Sequence, residues 1–128
     1  MYPKLLFLMV SLTATLIACR RDYVGPVSVS PTGQYGLRTT VTTSNVQLPS
    51  NDIVVVHLFD AQGSELFEID TRASVHMTWH VDWALYGDTV ILYSNDIGNR
   101  AWVIDGRKAI EVDMTPSLNQ RANWMKGP

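Results

Sequence analysis

Three histidines, twelve acidic residues and a single cysteine are the groups through which this chain could do acid–base, metal or nucleophilic chemistry. His76, His80 and Asp82 alternate with apolar residues and share a face if their segment is a strand. Residues two apart on a strand face are about 7 Å apart, so His80 and Asp82 could reach one ion. His76 lies too far along the strand to join them without a bend, and His57 would have to come from another strand. Zinc takes three or four converging ligands, and the spacing offers one workable pair. Asn95-Asp96-Ile97-Gly98-Asn99 is dense in side-chain oxygen, the donor calcium prefers, but lacks the alternating ladder and terminal Glu of an EF-hand loop. It reads as a tight turn whose Asp and Asn bond their own backbone. Glu65, Glu68, Asp70 and Asp82 could supply a carboxylate pair for sugar hydrolysis, but nothing in their spacing requires two of them to flank a cleft. The chain has no Gly-x-Ser-x-Gly elbow and no phosphate-cradling glycine loop. The expectation is a protein without catalytic residues, cofactor or metal.

The elements that would position these residues are mostly strands. Residues 34–43 are rich in Thr and Val, and 53–59 form a strong apolar run. Residues 65–70, 89–94, 100–104 and 108–113 continue the set. The clearest alternation covers 75–83, with Val75, Met77, Trp79, Val81 and Trp83 on one face and His76, Thr78, His80 and Asp82 on the other. Between these runs stand Asp, Asn and Gly clusters, and Asp105-Gly106 predicts a tight hairpin. The C-terminus changes character. Thr115-Pro116 offers an N-cap and a first-turn proline, and Gly127 a stop, which predicts a helix over 116–125. Its Leu118, Ala122 and Met125 share the side that would lie on the sheet.

The N-terminus bears on location. One cation, Lys4, precedes a charge-free apolar stretch from residue 5 to 17. That is short of the roughly 20 apolar residues a spanning helix needs, and fits a signal peptide. It ends in Leu16-Ile17-Ala18-Cys19, which resembles the lipobox of bacterial lipoproteins. The resemblance implies cleavage after Ala18, diacylglycerol on the Cys19 sulfur and acylation of the new amino terminus, palmitate being a typical chain. It also gives the chain's only cysteine a role without redox chemistry. Arg20 follows the cysteine where such lipoproteins carry Asp for inner-membrane retention, so the resemblance implies the periplasmic face of the outer membrane. The expected organisation is a leader over 1–18, a lipidated tether over 19–27 and one β domain over 28–128.

Two stretches are alike. Val56 to Asp70 and Ala101 to Asp113 both read as hairpins, and Asp60 and Asp105 stand about 45 residues apart, a period typical of propeller blades. Ser30-Pro31-Thr32-Gly33 and Phe59-Asp60 resemble blade motifs of TolB-like and WD40-like β-propellers. A closed propeller needs about four blades and residues 28–113 supply two. The expected fold is therefore all-β and mainly antiparallel, a small two-sheet sandwich of two blade-like units with one short C-terminal helix. Val54, Val56, Trp79, Trp83, Leu92 and Trp102 are the expected core.

Net charge is −2, with no basic cluster that could track phosphates, so nucleic acid is not an expected partner. The leading expectation is a membrane-anchored, non-enzymatic lipoprotein that binds a protein partner in the cell envelope, as assembly factors and toxin-neutralising lipoproteins do. Trp124 beside Arg121 is its candidate contact. The alternative is a glycan- or peptidoglycan-binding module built on Tyr93, Asn95, Asp96 and Asn99. A metal-dependent enzyme centred on His80 and Asp82 ranks third.

Overall fold

The computed structural model describes residues 23–41 and 52–127. Cys19 and the rest of the lipobox lie outside the described residues. Among the described residues nine strands and one helix follow in order: β1 (Tyr23–Val24), β2 (Ser28–Val29), β3 (Tyr35–Val41), β4 (Ile53–Asp60), β5 (Glu65–Ser74), β6 (Trp79–Trp83), β7 (Thr89–Ser94), β8 (Arg100–Asp105), β9 (Lys108–Val112) and α1 (Pro116–Met125). They form two antiparallel sheets. The first runs β1-β3-β4-β5, with β2 also paired to β3; the second runs β6-β7-β8-β9. Residues 23–25 belong to the sheet rather than to a tether. Tyr23 and Val24 pair with Val41 and Thr40, and Gly25 N–H donates to the Thr39 carbonyl.

Alternation along the strands sends one side of each sheet into a shared core. Leu37, Val54, Val56, Leu58, Ile69 and Ala73 come from the first sheet. Trp83, Val90, Leu92, Trp102 and Ile104 come from the second, and Trp79 packs partly buried against them. All six expected core residues lie in this layer. Polar clasps join the two sheets around its rim. Trp83 Nε1 donates to the Ser28 carbonyl at 2.9 Å, Gly106 N–H donates to Tyr35 Oη at 3.0 Å, and Thr32 Oγ1 donates to Asp88 at 2.5 Å.

The alternating segment 75–83 is only partly strand. β5 runs on to Ser74, and 75–78 carry the chain from one sheet to the other, so pairing begins at Trp79. Met77 is consequently exposed and not in the core. His76 leaves the His80–Asp82 row and reaches Asp52, which is buried (Nε2 to Oδ2, 3.1 Å). The longer β5 is held by a bulge at Val54. Thr71 Oγ1 donates to the Val54 carbonyl at 2.6 Å, and Arg72 takes a positive φ of 61°. The β8–β9 hairpin closes through Gly106 and Arg107, with Gly106 at φ 62° and Asp105 paired to Lys108. That places glycine at the first central position, where positive φ costs it nothing. The β4–β5 and β8–β9 hairpins occupy equivalent places, each forming the last two strands of its sheet.

Candidate docking groove between α1 and the β6–β7 loop

The site grows from the helix. Thr115 is its N-cap, accepting from Leu118 N–H at 3.2 Å, and Pro116 follows at the first helical position. Leu118, Ala122 and Met125 then point at the outer face of the second sheet. There they meet Ile91, Ala101, Tyr93 and Val112 in a second, smaller core with Ala122 fully buried. A ten-residue helix is marginal alone, so this contact is what holds it.

Once that face is buried, Arg121 and Trp124 are turned toward the β6–β7 loop. Arg121 is fixed from three directions. Nε donates to the Trp83 carbonyl at 3.3 Å, Nη2 donates to Asp82 Oδ2 at 3.3 Å, and the guanidinium lies over the Trp124 ring at 5.2 Å from its centroid. Trp124 is 75% exposed. Across from it the β6–β7 loop presents Leu85 at 63% and Tyr86 at 86% exposure. Gly87 turns this loop at φ 71°, and Ala84 N–H closes it onto the Thr89 carbonyl. Between helix and loop lies a groove of about 550 Å³ lined by Ala84, Leu85, Tyr86, Leu118, Arg121 and Trp124. Large apolar side chains are normally covered, and three standing around one groove form a surface suited to contact.

The remaining sequence candidates are distributed elsewhere. Tyr93 faces the helix, with His80 at 6.0 Å between ring centroids and Lys126 Nζ at 5.9 Å. Asp96 turns the other way and accepts from Ser74 N–H at 3.0 Å, tying the β7–β8 loop to the first sheet. Asn99 donates to Asn119 of α1 at 3.2 Å. Asn95 is exposed, and its N–H bonds the Thr78 carbonyl. The loop's own backbone is capped by Ser94 Oγ, which accepts from Asp96 and Ile97 N–H, and not by its Asp and Asn. Tyr93, Asp96 and Asn99 are thus engaged with three different neighbours. Asp82 is engaged too, accepting from Ser28 Oγ and Trp83 N–H on one oxygen and from Arg121 on the other.

Among the described residues, the histidine–carboxylate cluster that does form is His57, Glu65 and Glu68 on the outer face of the first sheet. His57 Nδ1 stands 2.6 Å from Glu65 and 3.5 Å from Glu68, while Nε2 meets Thr40 Oγ1 at 2.6 Å. Residues three apart on a regular strand face opposite ways. Here Phe59 pairs with Glu65 and Leu58 with Phe67, leaving Leu66 as an extra residue, and this bulge brings Glu65 to the side of Glu68. Alternation alone does not reveal such a bulge, so the grouping was not legible in the sequence. One further ion pair marks the sheet edge: Arg100 Nε donates to Glu111 across β8 and β9. That hydrogen bond holds the Glu111 carboxyl below the usual carboxylate range and raises Arg100.

No family model, curated protein or solved structure matches this chain. Among the described residues, no helix is long and apolar enough to cross a membrane.

Proposed function

We propose that this chain is a non-enzymatic lipoprotein of the cell envelope that binds a protein partner through the groove between α1 and the β6–β7 loop. The observation that carries the reading is Trp124, three-quarters exposed and in contact with the Arg121 guanidinium, across from an even more exposed Tyr86. Trp, Tyr and Arg dominate the energetics of protein interfaces. A Trp whose orientation is fixed before binding loses little freedom when a partner covers it. Leu85 from the loop and Leu118 from the helix add apolar lining, so an apolar side chain of the partner would fill the groove. The anchor belongs to the same proposal and rests on Leu16-Ile17-Ala18-Cys19.

The test is crosslinking in the cell that makes the protein, followed by detergent extraction and identification of what co-purifies. The reading predicts one dominant envelope protein, lost when Trp124→Ala and Tyr86→Ala are combined. A partner retained by that double variant would place the interface elsewhere. A second reading has its own support in Ser117 and Gln120, polar residues that line the same groove as Trp124 and Tyr86. A peptidoglycan strand could stack on Trp124 and Tyr86 there. Retention on purified peptidoglycan, abolished by the same double variant, would favour it over a protein partner.

A further inference from the structure

The outer face of the first sheet carries an apolar patch of its own, at the edge where the described chain begins. Val24 pairs with Thr40 and Val29 with Gly36, and Phe59 stands opposite Gly36 on the next strand. Directly opposed residues share a face. Val27 folds over Gly36, where a Cβ would come within 3.0 Å of Val27 Cγ1 and 3.8 Å of Phe59 Cβ. The absence of a side chain at Gly36 therefore lets Val27, Val29 and Phe59 gather. Val24, Val27 and Val29 are 59%, 48% and 65% exposed. Arg38 lies in the same patch over the Phe59 ring, 5.6 Å from its centroid, and makes no ion pair among the described residues.

We infer that this patch rests on the lipid headgroups of the anchoring membrane. The inference depends on the proposed acylation of Cys19. Four peptide steps separate Cys19 from Tyr23, and four residues span at most about 14 Å. An acylated Cys19 would hold β1 within that distance of the bilayer, so the exposed residues around β1 and β2 would be the first to meet it. Their chemistry suits the place: three valines and a phenylalanine that gain by leaving water, and a guanidinium without a carboxylate that can pair with phosphate. Arg20 and Arg21 add cations on the same stretch of chain. The acidic residues of this face, Glu65, Glu68 and Asp70, stand on β5, the strand farthest from β1 in the sheet; Glu65 lies opposite Phe59, so the valine side of the patch, at β1 and β2, makes the contact. The contact would be a tilted one along the β1–β2 edge. It would leave α1, on the outer face of the other sheet, turned from the membrane; the groove's margin lies nearer the β2 edge, since Asp82 accepts from both Ser28 and Arg121 and Asp88 of the β6–β7 loop accepts from Thr32.

The test uses the full lipidated chain in vesicles of phosphatidylethanolamine and phosphatidylglycerol. With Cys19 acylated, a cysteine introduced by Val29→Cys or by Tyr86→Cys is the sole free thiol and takes an environment-sensitive dye. The expected result is a blue-shifted emission at Val29 with quenching by nitroxide lipids several-fold stronger than at Tyr86. Circular dichroism of each labelled protein checks that the fold is kept. Aqueous emission at Val29, or equal quenching at both positions, would overturn the orientation while leaving the anchor standing if the mass of the Cys19 peptide shows acyl chains. A Cys19 peptide without acyl mass would overturn both.

Discussion

The two outer faces of the sandwich began from similar strands and ended differently. Each sheet is an antiparallel meander that gives its inner side to the same core. The outer side of the second sheet is apolar at Ile91, Ala101 and Val112, and α1 covers it. The outer side of the first carries Thr40, His57, Glu65 and Glu68, with a valine patch at one edge, and no helix of the described residues lies on it. A strand buried on both sides has no polar alternation left, which is how β7 reads: Thr-Val-Ile-Leu-Tyr-Ser. β4 keeps His57 and Asp60 at positions that face water or a hydrogen-bond partner. The difference in covering decides where contact surfaces can arise. A helix laid on a sheet creates a groove at its margin, and a bare face offers only what its strands display.

Substitutions can break this comparison at several strengths. The largest effect falls on what both faces share. Leu92→Ala removes a fully buried side chain of the common core and should lower stability by about 2–5 kcal/mol, read from the denaturant midpoint. Next comes the groove, where Trp124→Ala should weaken partner binding by about 2 kcal/mol or more, some thirtyfold, as measured by titration. The same variant should leave the melting temperature within a degree or two, since the ring is mostly in solvent. Ala122→Leu forces added volume between α1 and the sheet and should cost about 1–3 kcal/mol. Val29→Asp, on the uncovered face, should change stability by less than about 0.5 kcal/mol while weakening vesicle contact. Equal losses from Ala122→Leu and Val29→Asp would remove the distinction between the faces.

The smallest effect is electrostatic. Glu111 titrates lower in the folded protein than in the unfolded chain because Arg100 binds its charged form. Its contribution is complete above the unfolded value of about 4.3 and is lost as pH falls through the lower folded value. Both partners are partly exposed, so the gain stays below about 1 kcal/mol. Glu111→Gln should lower stability at neutral pH by that amount and leave it unchanged at pH below the folded value, as acid titration of the denaturant midpoint would show.

Much of the fold was legible in the residues. The bounds of α1 follow from Thr115, Pro116 and Gly127, and β7 and the β8–β9 hairpin from apolar runs and glycine placement. The misreading of 75–78 has a physical reason. A crossing between two sheets can keep strand-like alternation because it passes the rim of the core, where Val75 is still packed and Met77 is not. β1 and β2 are two residues each, too short for a periodic signal, and depend on β3 for their pairing. Trp124 and Arg121 could be found as neighbours on a helix, but Leu85 and Tyr86 could not. Nothing local to Tyr86 says that α1 will pack beside its loop.

In the proposed function, protein contact belongs to the helix side of the molecule. The direct measurement places a photo-crosslinking amino acid at Tyr86 in one strain and at Val29 in another, each in the lipidated protein in its own cell. A discrete protein adduct from Tyr86, and none of that size from Val29, is the expected result. The same protein adduct from both positions, or from Val29 alone, would contradict it.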